Sequence, residues 1–283
     1  MPEISMLTMN IFGVPLPSTR RRLATLAREL NHADYDVVCL QEVQANTYLH
    51  RLLRDCKSYA ERAYAPFVHA PKGGLLTLAR HGVAHRAFTL YRDRGLWHTP
   101  AMTDWILHKG VLTVQTRCYH LRVSVLNTHL TANYNGVWDR TNQYARQERL
   151  QLRQLAEIVR RQPADALVIA AGDFNVPRGS PLIDEFLAES GLTDPLVGST
   201  EPTYRPLVGL PTRLAVPIDF VLYRAPALPG FRASSQIVFQ DRVPLVGGGD
   251  GYLSDHRAVE LRLTWETERA GPIPMVDDHQ FSG

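Results

Sequence analysis

Four short apolar runs, each ending in or near a polar residue or cluster, constrain this chain more than any other feature. Ile4–Phe12, Val37–Gln41, Leu121–Thr128 and Leu167–Ala171 read as buried strands, and Asn10, Glu42, His129 and Asp173 with Asn175 stand where they emerge. Each pair of strands encloses a helical pattern. Leu23, Leu26, Ala27 and Leu30 recur on one face after Ser18, a potential cap, and Leu152, Leu155, Ile158 and Val159 do so within Asp139 to Arg161, which Pro163 ends. Strand, helix, strand therefore occurs in both halves. Two such halves facing each other would gather the four polar clusters on rigid elements, although no close sequence repeat links them.

Composition allows this. With 45% hydrophobic residues in 283, the chain can build a substantial core. Polar residues of interest run from Asn10 to His256, and a site drawn from both ends of a chain implies one domain over residues 1–266, with 267–283 as a weakly ordered tail. The net charge of +3 tolerates an anionic substrate without identifying one, and no dense basic patch of a dedicated nucleic-acid binder is present. Cys39, Cys56 and Cys118 are odd in number and suit neither a disulfide framework nor a zinc site, so they read as buried small hydrophobes. Met1 to Phe12 lacks a secretory leader and no run suffices to span a bilayer, so a soluble, cytoplasmic protein is expected.

The remaining pattern predicts a helix over Asn46 to Lys57 and strands at Gly74–Ala79, Thr103–Leu107 and Val111–Cys118, with polar hairpin loops over Arg80–Thr99. A short helix follows at Leu182–Ala188, stopped by Gly191, and strands at Ile218–Tyr223 and Ala258–Trp265. Gly247, Gly248 and Gly249 mark Val243–Gly251 as a mobile loop. Arg20, Arg21 and Arg22 read as a solvated helix end.

Chemistry concentrates at the strand ends. Glu42 follows a strand directly and could ligate a hard cation through oxygen, with the Asn10 amide oxygen as a helper; taken alone, Glu42 reads rather as a solvated loop carboxylate and Asn10 as a turn or strand-end amide. In Gly172-Asp173-Phe174-Asn175 a core strand delivers Asp173 and Asn175 to one side and Phe174 to the core, whereas a plain surface turn would not need such a strand. His129 ends another apolar strand and gains meaning only from its company. His256 in Ser254-Asp255-His256 could move a proton near neutral pH, with Asp219 as its orienting carboxylate and Asp255 as a further metal ligand or a turn cap.

Thr8-Met9-Asn10, Leu40-Gln41-Glu42-Val43, Asn127-Thr128-His129-Leu130, Gly172-Asp173-Phe174-Asn175, Ile218-Asp219-Phe220-Val221-Leu222 and Ser254-Asp255-His256, in this order, resemble the endonuclease/exonuclease/phosphatase superfamily. The resemblance implies a DNase I-like α/β fold, a four-layer sandwich of two mixed β-sheets packed face to face and flanked by helices. It implies a phosphodiester-cleaving hydrolase in which Glu42 binds Mg²⁺ or Mn²⁺, with Asn10 and Asp255 near it. Asp173 and Asn175 would position the attacking water or the leaving group, His129 would donate to the phosphate, and His256, held by Asp219, would stabilise a phosphorane-like transition state or move a proton.

Within the superfamily, His129-Leu130-Thr131-Ala132-Asn133-Tyr134 with the polar residues Asp139 to Gln151 is similar to the neutral sphingomyelinase branch, although Thr131 stands where that branch often has a second histidine. His129 argues against the abasic-site endonuclease branch. Val176-Pro177-Arg178 departs from the inositol-polyphosphate 5-phosphatase pattern. A lipid or small-molecule phosphodiester is thus expected ahead of nucleic acid, with peripheral membrane contact through Tyr134 and Trp138 if they are exposed rather than packed locally. A nuclease tracking a phosphate backbone with Arg149, Arg153, Arg160 and Arg161 is the alternative, and a non-catalytic binding scaffold the third. The sequence is silent on oligomeric state.

Overall fold

The computed structural model describes residues 1–266 apart from 140, 207, 208, 210 and 211; the tail expected at 267–283 lies outside the described residues. In chain order the elements are β1 (Glu3–Asn10), α1 (Thr19–Ala33), β2 (Val37–Gln41), α2 (Asn46–Asp55), β3 (Glu61–Ala63), β4 (Leu76–Ala79) and β5 (Val83–Leu90). Then come α3 (Met102–Ile106), β6 (Gly110–Cys118), β7 (Leu121–His129), α4 (Gln143–Arg160), β8 (Leu167–Asp173) and α5 (Pro181–Ser190). The last are β9 (Asp219–Arg224), β10 (Arg232–Val238), β11 (Val243–Pro244), β12 (Asp250–Gly251) and β13 (Ala258–Thr264).

Six strands form one sheet in the order β10-β13-β1-β2-β4-β3, and five form the other as β5-β6-β7-β8-β9. Each is mixed: β1 pairs with β2 and β7 with β8 in parallel, and the other pairs are antiparallel. The parallel pairs are the two strand–helix–strand units of the sequence, as parallel strands need a crossover.

Side-chain alternation explains the layers. In β1, Leu7 and Met9 pack under α1 and α2, while Ile4 and Met6 face the second sheet together with Val37 and Cys39. Val123, Val125, Ile169, Ala171 and Val221 answer them from the other side, and Leu126, Val168 and Ala170 turn outward beneath α4 and α5. The result is the expected helix–sheet–sheet–helix sandwich. The same alternation puts polar Thr8, Asn10, Gln41, Asn127 and Asp173 at the ends of inward-facing rows, all buried. There they bond across the sheets: Gln41 Nε2 donates to Thr8 Oγ1 (3.0 Å) and Asn127 Oδ1 (2.8 Å), and Asn127 Nδ2 to the Leu40 and Leu76 carbonyls (both 3.2 Å).

Several expectations are corrected. Thr103–Leu107 is not a strand but lies largely in α3: Pro100 starts a helical turn, and a buried ion pair from Asp104 to Lys109 Nζ (3.3 Å) fixes it, overriding the β-branched Thr103 and Ile106. The presumed loops of Arg80–Thr99 include β5, which lies at a sheet edge, is largely exposed and so shows no apolar alternation. The edge strand β10 escaped notice for the same reason. Val243–Gly251 closes as a hairpin, with Leu245 N–H donating to the Gly249 carbonyl (2.9 Å). The long helix starts at Gln143, four residues late, because Asn142 caps it through the Tyr144 N–H (2.8 Å). Ser18 makes no side-chain cap bond.

Arg22 is also not solvated. Its buried guanidinium donates to the carbonyls of Ile11 (3.0 Å), Leu253 (2.9 Å) and Phe12 (2.7 Å), tying the end of β1 to the segment before Ser254. All three cysteines are free and buried, and burial raises their thiol pKa to about 12. No helix among the described residues is long and apolar enough to cross a membrane.

Candidate active site

Strand register builds the site. His129 of β7 lies opposite Asp173 of β8, and Asp173 opposite Asp219 of β9, so these three stand side by side at one sheet's end. Asn10 lies opposite Gln41 in the other sheet, and Glu42 follows. Gly172 permits this packing. Its φ is +145°, and a Cβ there would sit 1.8 Å from the Thr128 carbonyl oxygen, so any side chain would push β7 and β8 apart. Glu42 (φ 58°) and Asn175 (φ 52°) both occupy left-handed backbone, the kind of strain that collects at functional sites.

Asp173 is the hub. Its Oδ2 accepts from Asn10 Nδ2 (3.0 Å) and lies 3.4 Å from His129 Nε2 and 3.7 Å from His256 Nε2, and its Oδ1 accepts from the Asn175 N–H (2.9 Å). Asn10 Nδ2 also donates to Glu42 Oε1 (3.0 Å), while its Oδ1 accepts from the Phe12 N–H (3.0 Å). The amide oxygen foreseen as a metal ligand is thus engaged by backbone, and the nitrogen bridges the two carboxylates. Asn175 Nδ2 and Lys109 Nζ converge on the Leu130 carbonyl (2.9 and 2.6 Å), and Phe174 is buried against Phe186 and Phe220, as its alternation predicted.

His256 Nδ1 lies 2.9 Å from Asp219 Oδ2. Burial works against the imidazolium, but Asp219 and Asp173 outweigh it and raise the His256 pKa to about 10. His129 goes the other way: burial, with Lys109 and His256 nearby, drives its pKa well below the ordinary value, so it is neutral. The site pairs one cationic with one neutral histidine.

Burial raises the pKa of Glu42, Asp173 and Asp255 alike. Glu42 accepts only from the amides of Asn10 and Gln44 and has no ion-pair partner among the described residues. A half-buried carboxylate without a direct ion-pair partner, lining the same cleft as two more, fits a hard divalent cation. Asp173, Asp219 and His256 also offer atoms within 4.8 Å of one another. That trio is better read as a hydrogen-bonded acid–histidine set, since an imidazolium bound to Asp219 has no lone pair for a metal.

Three parts of the site had no counterpart in the sequence reading. Lys109 and Asp104, buried as a pair, line the cleft; the signal was a lysine directly ahead of a buried strand. Thr203 Oγ1 accepts from the N–H groups of Ile218 (2.9 Å) and Asp219 (3.0 Å), while the Thr203 carbonyl accepts from the Arg257 N–H (2.7 Å), so one loop residue brackets Asp219 and His256. Arg178 Nε meets Asp194 Oδ2 at 2.7 Å, both buried, and its Nη2 donates to the Asp219 carbonyl (3.3 Å). Asp194→Ala would leave that guanidinium uncompensated and is expected to cost about 3–5 kcal/mol, read from the urea midpoint.

A cleft of about 480 Å³ opens over these groups, walled by Glu42, Asn133, Tyr134, Trp138 and Tyr204. Trp138 Nε1 donates to the Asn175 carbonyl (3.1 Å), so this ring is wall rather than free surface. Thr131 is buried with its N–H and hydroxyl both bonded to Gln151 (2.9 Å each), which docks the loop on α4.

The sequence profile of the Endonuclease/Exonuclease/phosphatase family matches residues 7–256. The chain belongs to this family. A Drosophila melanogaster protein named "Putative neutral sphingomyelinase" is 26% identical over 278 residues, which cover 92% of this chain and 60% of that protein. The chain therefore spans about three fifths of this relative's length. Its fold is that of a double mutant of Staphylococcus aureus beta toxin with bound magnesium ions (TM-score 0.70, 16% identity, 94% of this chain and 100% of that one). It is also that of TDP2 from D. rerio complexed with a single-strand DNA product (TM-score 0.71, 17% identity, 93% and 99%). The DNase I-like architecture is thus established for this family member.

In metal-free protein the His256 ionisation has a checkable consequence. A folded-state pKa near 10 against 6.5 for the free group means that the proton stabilises the fold fully below pH 6.5. That stability drains as pH rises and is gone above about 10. The melting temperature of chelator-treated protein should fall across this window, and fall less in His256→Gln. Equal slopes would remove His256 as the source.

Proposed function

We propose that this chain is a divalent-metal-dependent phosphodiesterase acting on a lipid-like substrate of sphingomyelinase type. The observation that carries the reading is the half-buried Glu42 carboxylate, which has no ion-pair partner among the described residues and is set beside a neutral His129 and a cationic His256–Asp219 pair. Glu42 would hold Mg²⁺ or Mn²⁺ with Asp255 alongside, while Asn10 would position Glu42 and Asp173 through its amide nitrogen. When bound, the cation would supply positive charge to the phosphoryl oxygens.

The chain's own residues do the rest. Asp173, with its raised pKa and its place between Asn10, His129 and His256, takes the proton of the attacking water. His129, neutral, donates one N–H to a non-bridging oxygen. His256, held cationic by Asp219, neutralises charge developing at phosphorus and leads a proton to the leaving oxygen. Asn175, fixed by its backbone and the Leu130 carbonyl, keeps Asp173 oriented.

The relative in Drosophila melanogaster supports a sphingolipid, while the likeness to TDP2 bears on fold alone. The arginines that could have tracked a nucleic-acid backbone are engaged: Arg149 and Arg153 pair with Glu185 (3.2 and 3.1 Å), and Arg160 donates to the Glu189 carbonyl (2.8 Å). They form the solvated seam between α4 and α5. A single domain over 1–266 and a cytoplasmic location belong to the same proposal.

The test is hydrolysis of sphingomyelin, a lysophospholipid, plasmid DNA, single-stranded DNA and a generic phosphodiester, with Mg²⁺ and with chelator, by wild type and His256→Ala. Metal-dependent turnover of sphingomyelin, lost in the variant, is expected. Turnover of DNA alone would replace the substrate class, and turnover that survives both chelator and substitution would overturn the site.

A further inference from the structure

The helix α3 is inside out. Its one acid, Asp104, is buried on Lys109, while Met102, Trp105 and Ile106 face solvent. A short surface helix in a protein surrounded by water does the reverse. Trp105 is 46% exposed and Trp97, its neighbour at 5.8 Å, 67% exposed.

The apolar strip continues along the mouth of the cleft. His108 links Trp105 (6.4 Å between rings) to Phe67 (4.4 Å), and Val68 beside it is 82% exposed at the tip of its loop. That loop is anchored, since Asn46 bonds the carbonyls of Val68 (2.9 Å) and His69 (2.8 Å). The strip is also continuous with the site: Thr103, Asp104 and Leu107 line the cleft from the same segment, and the Leu107 carbonyl accepts from the N–H of Gly73, another cleft residue, at 2.6 Å. Beyond Asn46 the surface becomes basic. Thr47 lines a shallow cavity with Arg20, His50, Arg51 and Arg54, whose one close carboxylate among the described residues is Asp55.

An apolar strip on the rim of a cleft, flanked by three arginines that share one close carboxylate among the described residues, complements a lipid surface with anionic headgroups. We infer that the strip from Val68 to Trp97, with the basic cavity of Arg20 and Arg51 at its end, docks this protein on an anionic bilayer and places the cleft mouth against the membrane. The inference rests on the lipid reading of the site. It puts the contact on Trp97 and Trp105 in place of Trp138, which serves as cleft wall. Lateral delivery follows: a diester in the docked leaflet reaches the cleft without crossing water.

The test uses the full chain with phosphatidylcholine vesicles, with and without phosphatidylserine. Co-sedimentation is read together with tryptophan emission, to which Trp97 and Trp105 contribute two of the four indoles. Wild type is expected to bind serine-containing vesicles with a blue shift. Trp97→Ser/Trp105→Ser should bind about tenfold or more weakly without the shift, and Arg20→Glu/Arg51→Glu should lose the preference for phosphatidylserine. Hydrolysis of a water-soluble phosphodiester should be unchanged in both variants. Vesicle binding equal in wild type and the tryptophan variant would overturn the inference. So would a concentration-dependent dimer that the variant abolishes while vesicle binding persists, since the strip would then cover a second copy. The outcomes separate the two readings: docking without turnover of any diester sinks the enzyme, whereas turnover of the soluble diester without wild-type docking sinks only the surface.

Discussion

Asp173→Asn will lower turnover about a thousandfold or more and leave the fold in place. The substitution is nearly isosteric, so the strand pairing that sets His129, Asp173 and Asp219 in line is kept. What changes is chemistry. An amide cannot take a proton from water, and it removes one of the three carboxylates, Asp219, Asp173 and Asp255, that hold His256 cationic. His256 should therefore titrate at a lower pH in the variant, visible as a shifted imidazole resonance in NMR. A structural role alone would lower stability without moving that titration. If the variant retained more than about a tenth of wild-type turnover, Asp173 would not be the base.

Glu42→Gln tests the countercharge argument and has two effects of opposite sign. Binding of Mg²⁺ or Mn²⁺, measured by calorimetry, should weaken by about a hundredfold or more, with turnover falling in step. In chelator the same variant should melt at a higher temperature than wild type. A neutral amide keeps the side chain's place near Asn10 and Gln44 but ends the cost of a partly desolvated charge without an ion-pair partner. Wild type should gain melting temperature on adding the metal, and the variant should not. A metal-induced rise that survives Glu42→Gln would move the cation elsewhere, with Asp255 the next residue to replace.

These predictions use residues that were legible before the structure was known, and the reason is local. A buried strand must be apolar until it leaves the core, so a polar residue at its end stands out, and period-two alternation then says which way it points. Asn10, Glu42, His129 and Asp173 were found in this way. The two strand–helix–strand units and the inward Phe174 come from the same rule.

Other residues carried no such mark. Arg22 sits in a run of three arginines and reads as solvated, because nothing local says that three backbone carbonyls from distant segments will close around it. Thr203 lies in a segment without periodicity, and its role exists only once Asp219 and His256 have been brought to either side. Edge strands β5 and β10 are too exposed to show an apolar row.

By itself the sequence determined the two strand–helix–strand units, the buried strands within them and the polar residues at their ends, because burial and alternation are properties of each segment alone; the layered sandwich followed only from the family resemblance. The tertiary structure alone decided the register that sets His129, Asp173 and Asp219 abreast, the opposite charge states of the two histidines, and the outward turn of Trp105 over a buried Asp104. Each of these depends on a partner more distant than one turn or one strand can specify, and electrostatic energy belongs to the arrangement rather than to any residue in it.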